Sequence, residues 1–120
     1  MREPNVIKEK STKFAIRIIE MYKYLSSEKQ EYVMSKQLLR SGTSIGANVR
    51  EGIYAQSRGD FISKLSISLK EAAETEYWLE LLLSTDYITE KQYGSMYEDC
   101  REVIKLLTAI TKSTKNQSND

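Results

Sequence analysis

The chain has 120 residues, 29% of them charged, and a net charge of +1, which allows one well-buried domain but not two. It has no histidine and one cysteine, Cys100, so imidazole catalysis, histidine-bearing metal sites, intramolecular disulfides and thiolate clusters are excluded. Charge is unevenly divided: residues 1–50 hold ten Lys/Arg against five Glu, and residues 51–120 hold eight Lys/Arg against twelve Asp/Glu. That division suits a nucleic-acid surface, complementary contacts between copies, or simply a mixed solvated exterior.

The N-terminal stretch MREPNVIKEK lacks an apolar signal-peptide core, and every apolar run is broken short of the ~18 residues a membrane helix needs. A soluble, cytoplasmic protein is expected. With proline only at Pro4, nothing downstream breaks a helix through that residue. A first helix is predicted from about Val6 to Leu25, its apolar face formed by Phe14, Ile18, Met21 (with Tyr22) and Leu25. SSEKQ interrupts it, and Ser27 with Gln30 has capping-box spacing for a second helix from about Glu28 to Ala55. Leu38, Gly42, Ile45, Val49 and Ile53 form the stripe of that helix. Ser57 and Asp60 cap a third helix running to about Leu83, with Ile62, Leu65, Leu69, Ala72, Leu79 and Leu83 on its main apolar face. Ile67, Tyr77 and Leu81 lie on another side, so this helix is apolar over a wider arc than one core requires. Thr89 with Gln92 opens a fourth helix, whose Tyr93, Met96, Cys100, Val103, Leu107 and Ile110 approach a heptad seam. The polar KSTKNQSND is expected to fray from about 113. The expected fold is a single all-α domain over 1–120, an antiparallel up-down-up-down four-helix bundle.

The second helix contains LLRSGTSIGANVREG, Leu38 to Gly52, with three glycines. Each interior glycine costs a helix about 1 kcal/mol relative to alanine. Gly42-x-x-x-Gly46 makes a flat strip where a neighbouring backbone can approach closely. On the helical wheel Arg40, Ser44, Asn48 and Glu51 fall in a narrow polar sector nearly opposite. Asn48 is a poor helix former in mid-helix, which calls for a specific contact. The alternatives are a solvated face, a subunit contact or a ligand.

QLLRSGTSIGANVREG followed by LSISLKEAAETEYWLELLLSTDYI resembles the bacterial four-helix-bundle proteins called 23S rRNA intervening-sequence proteins. The matching pattern is an Arg, then Ser-x-x-x-Asn-x-x-Glu-Gly, then Ser-Leu-x-Glu one helix later. Arg40, Ser44, Asn48, Glu51, Gly52, Ser68, Leu69 and Glu71 stand at those positions. Gly46 departs from it, since the family often has proline there. The resemblance implies a homo-oligomer, with a pentameric ring favoured. A related group, the accessory proteins of diversity-generating retroelements, shares the ring and binds reverse transcriptase and nucleic acid. No established activity comes with the resemblance.

Three functional readings follow. The first is a non-enzymatic oligomeric scaffold or adaptor, its possible interface including Arg40, Ser44, Asn48, Glu51, Ser68 and Glu71. The second adds weak RNA binding through Lys10, Lys13, Arg17, Lys36, Arg40 and Arg50, with Tyr24, Tyr32 and Tyr54 available for base stacking. The third is a magnesium-dependent nucleotide pyrophosphohydrolase, suggested faintly by Glu71-x-x-Glu74 and Asp99-x-x-Glu102. A di-iron site is excluded for want of Glu-x-x-His. No cofactor, metal or membrane partner is expected. Glu76 falls within the apolar stripe of the third helix, where its carboxylate either reaches solvent or is paired. Cys100 is expected to be a small core residue.

Overall fold

The computed structural model describes the backbone of residues 2–118 and the side chains of residues 5–116. Within that span the chain forms α1 (Arg2–Ser27), α2 (Met34–Ile53), α3 (Arg58–Ser84) and α4 (Glu90–Ser118), and among the described residues there is no strand. Contacts join α1 to α2, α2 to α3, α3 to α4, and α4 back to α1, which closes a four-helix bundle. Ile18 lies over Gly42 and Ser11 over Gly46, so α1 and α2 run antiparallel. Arg40 meets Glu74 and Glu51 meets Lys64, so α2 and α3 do too. The bundle measures 51 × 21 × 19 Å.

The core follows the apolar periods of α1, α2 and α4, except that Ile53 and Tyr93 are only half-buried and Ile7 joins the core at the start of α1. Phe14, Ile18, Met21, Leu25, Leu38, Ile45, Val49, Met96, Cys100, Val103, Leu107 and Ile110 are all buried. Each large aliphatic or aromatic side chain among them is worth about 1.5–3 kcal/mol relative to exposure. On α3 the buried set is Leu65, Ser68, Ala72, Thr75, Leu79 and Leu82, so the core face is rotated from the expected one. Ile62, Leu69 and Leu83 are only half-buried. Ser68 and Thr75 had no place in an apolar count. They are buried because hydrogen bonds replace the water they lose: the Ser68 hydroxyl donates to the Ile45 carbonyl at 2.9 Å. The Thr75 hydroxyl lies 2.8 Å from the Glu71 carbonyl and 2.9 Å from the Ser41 hydroxyl.

Two boundaries differ from the sequence expectation. The helix α4 continues past 113 to Ser118. The larger difference lies between α1 and α2. Ser27 belongs to α1, its hydroxyl donating to the Lys23 carbonyl at 2.7 Å, and Gln30 turns the chain with φ of 54°. The Ser27–Gln30 capping box therefore does not form, and α2 starts at Met34 instead of Glu28. Glu31 does the capping. Its buried carboxylate accepts the backbone N–H groups of Val33, Met34 and Ser35 at 3.1, 3.0 and 2.7 Å. Three of the four orphan donors of a helix start are the kind of group it satisfies. The other two caps form as spaced: Asp60 N–H donates to Ser57 Oγ, while Thr89 and Gln92 exchange reciprocal bonds. At the end of α3, Asp86 takes φ of 66°, with Asp86 N–H donating to Leu83 and Tyr87 N–H to Leu82. That is a Schellman closure without glycine.

The glycine strip of α2 faces α1. A Cβ at Gly42 would lie 2.6 Å from Ile18 Cγ1, whereas one at Gly46 would meet Ser11 at an ordinary 3.5 Å. Ile18 is fully buried and has nowhere to move. Gly42→Ala should therefore lower stability by about 1–2 kcal/mol, overpacking exceeding the propensity gain. Gly46→Ala should leave it unchanged or raise it by up to about 1 kcal/mol. Urea unfolding of the pair checks this opposition.

Burial raises the Glu31 carboxyl pKa, but the backbone donors of Met34, Ser35 and Val33 outweigh it and hold the group below its ordinary 4.5. A depressed folded pKa stabilises the fold above the unfolded value, and that stabilisation is lost as pH falls through the folded one. Glu31→Gln should cost about 1–2 kcal/mol at neutral pH. The gap from wild type should close as pH drops below 4.5, as measured by urea midpoints across pH.

Candidate functional site

The polar sector of α2 borders α3. Between the two helices lies the close seam just described, Ser68 on Ile45 and Thr75 beside Ser41. Small side chains at these positions let two long helices approach, and their hydroxyls satisfy backbone carbonyls in the process. Along the rim Arg40 reaches across to α3. Its Nη2 donates to Glu74 Oε2 at 3.1 Å and its Nη1 lies 4.0 Å from Glu71. Glu74 Oε2 also accepts the Trp78 indole N–H at 3.0 Å, which fixes the ring on the rim. Farther along, Lys64 pairs with Glu51 at 3.1 Å.

Ser44 and Asn48 bond within α2 and not to α3. The Ser44 hydroxyl donates to the Arg40 carbonyl at 2.7 Å, and the Asn48 amide donates to the Ser44 carbonyl at 2.9 Å. Both are half-buried. Asn48 thus finds within its own helix the local bond that makes asparagine weak in helices. Glu71 is more secluded, its side chain 17% exposed with only the long Arg40 contact. Within the chain, then, Arg40 and Glu51 of the sector pair with α3 while Ser44 and Asn48 bond back onto α2, and Ser68 and Glu71 lie on the facing helix.

The six basic candidates do not assemble into one free patch. Lys10 pairs with Glu102, Lys13 with Glu9, Arg17 with Asp99, and Arg40 with Glu74. Arg17 also donates to Ser95. Arg50 donates to Thr12 Oγ1, and Lys36 is exposed with no ion pair among the described residues. The acidic C-terminal half neutralises much of the basic N-terminal half inside one chain. Tyr54, the residue that follows α2, is 82% exposed.

The two acidic pairs are also apart. Glu71 and Glu74 face Arg40 of α2, whereas Asp99 and Glu102 face Arg17 and Lys10 of α1. Among the described residues no group of three or more Cys, Asp or Glu side chains is placed to share a metal ion. Glu76 is half-buried and pairs with Arg101 at 3.3 Å. Cys100 is fully buried, its thiol 3.6 Å from the Ala72 carbonyl, and burial with nearby Glu76 pushes its pKa up to about 12. A thiol so held stays protonated and unreactive. Among the described residues no helix is long and apolar enough to cross a membrane.

The family model for the 23S rRNA-intervening sequence protein matches residues 3–109, which takes in the α2–α3 seam and most of α4. The chain belongs to this family. A solved structure, described as a protein of unknown function from the S23 ribosomal protein family of Bacteroides thetaiotaomicron VPI-5482, is 62% identical. The similarity covers 92% of this chain and 98% of that one, with a TM-score of 0.91. Comparison with curated proteins returned no match.

The seam, not the rim, carries the stability of this region. Ser68→Ala removes a fully buried hydroxyl and should cost about 1–2 kcal/mol. Arg40→Ala breaks exposed ion pairs worth at most about 1 kcal/mol. Thermal unfolding of the two variants should rank them in that order.

Proposed function

We propose that this member of the 23S rRNA-intervening sequence protein family is a non-enzymatic scaffold or adaptor that assembles with copies of itself, a pentameric ring being the favoured form. The carrying observation is the second apolar face of α3. Ile67 is 39% and Tyr77 53% exposed on the side away from the core, with half-buried Leu81 nearby on the helix. Ile16, 51% exposed, stands on the outer side of α1. An apolar face on α3 and an exposed isoleucine on α1 suit a heterologous contact, in which one meets the other on the next copy and repetition closes a ring. The ion pairs inside the chain leave this contact to rest mainly on apolar burial.

RNA binding is a secondary role. It is supported by Lys36 and Arg50 on the outer side of α2, neither with a carboxylate partner among the described residues, and by exposed Tyr54 beyond them. The carboxylate pairs facing separate helices argue against the pyrophosphohydrolase alternative.

Native mass spectrometry at micromolar concentration tests the reading. Wild type should show one closed oligomer, with any bound RNA released by salt. Ile67→Glu should shift it toward monomer while keeping its helical circular dichroism. A clean monomer for wild type overturns the scaffold proposal, and a lack of salt-dependent RNA binding overturns the secondary role.

A further inference from the structure

Among the described residues the diagonal helices α1 and α3 do not touch, and both run opposite to α2, so they point the same way from opposite corners of the bundle. Two layers tie their heights together. In one, Ile18 lies against Gly42, and the neighbouring Ser41 meets Thr75. In the other, Ser11 lies against Gly46, and the neighbouring Ile45 accepts the Ser68 hydroxyl. Ile18 and Thr75 are as far apart in sequence as Ser11 and Ser68, so a single offset relates α1 to α3 along their length. Applied to the outer sides, it sets Lys13, Ile16, Glu20 and Lys23 level with Lys70, Ala73, Tyr77 and Glu80 in turn. All of these are exposed, Ile16 by 51% and Tyr77 by 53%.

Layer by layer, the two outer sides match. Bulky Ile16 stands level with small Ala73, and Lys70 and Tyr77 lie one turn to either side, so a knob is level with a hole. Lys23 stands level with Glu80, and neither has an ion pair among the described residues. Glu20 stands level with Tyr77, whose hydroxyl is a donor for a carboxylate. Lys13 stands level with Lys70, but Glu9 holds Lys13 at 3.1 Å, so Lys70 faces a neutral pair.

A closed ring whose axis runs along the bundle relates its copies by rotation alone, so each residue meets the next copy at its own height. We propose that α1 of one copy packs parallel along α3 of the next at equal height, with Ile16 seated on Ala73 and Lys23 paired with Glu80. This contact rests on the self-assembly reading and names the residues that meet in it. Tyr77 and the aliphatic stem of Lys70 flank the isoleucine, and Ile67, below Lys70, extends the apolar strip.

The test links the two central positions by a disulfide. Both are exposed, so Ile16→Cys/Ala73→Cys should keep its helical circular dichroism. Native Cys100 takes no part, being buried with its thiol pKa at about 12. After mild oxidation with copper phenanthroline, a non-reducing gel of the double variant should show a ladder of linked copies. The ladder should end at the ring size seen by native mass spectrometry, and neither single variant should link. Independently, Glu80→Lys should weaken assembly by about two- to five-fold, and adding Lys23→Glu should restore it. Either single variant linking to itself, an assembled double variant that stays unlinked, or a charge swap that fails to restore assembly sinks this contact alone. A monomeric wild type removes the self-assembly reading and the contact with it.

Discussion

Close approach on both sides of α2 is the constraint on which the bundle rests. On one side Ile18 occupies the space that a side chain at position 42 would need. On the other, a serine hydroxyl from α3 bonds directly to a carbonyl of α2. At these close-approach positions the helix carries only small residues, and its small polar groups must find partners without water. They do, and among the described residues no buried side-chain nitrogen or oxygen lacks a hydrogen-bond partner. The run of serines, threonines and glycines that weakens α2 as an isolated helix is what lets it fit between two others.

Much of this was legible in the sequence because it depends on period. Apolar recurrence located four helices and most of the buried apolar residues of α1, α2 and α4, missing Ile7, and the spacing of Ser57 with Asp60 and Thr89 with Gln92 located two helix starts. The α3 face was misjudged since apolar counting ranks Ser68 and Thr75 as surface residues. Only their partners across the seam, 23 and 34 positions away, make them interior. Glu31 was missed for a related reason. Glutamate is an ordinary surface residue, and a cap from three or four positions upstream leaves no capping-box pattern. The polar sector itself was visible on the wheel, but not that Ser44 and Asn48 turn back onto their own helix while Arg40 and Glu51 cross to α3.

The ion pairs change how the surface is understood. A chain with one basic and one acidic half invites a search for an oppositely charged partner. Here the pairs Lys10–Glu102, Arg17–Asp99 and Arg40–Glu74 join the halves to each other. What the pairs leave on the surface is narrower: an apolar face on α3 and, on α2, Lys36 and Arg50, neither with a carboxylate partner among the described residues.

The same pairing bears on how the chain reaches its fold. Helices α1 and α2 form one hairpin and α3 and α4 another, linked by only the few residues between Ile53 and Arg58. The first hairpin is cationic and the second mostly anionic, so each repels itself slightly while attracting the other before any side chains interlock. The hydroxyl seam between α2 and α3 and the ion pair beside it are where the two oppositely charged hairpins meet.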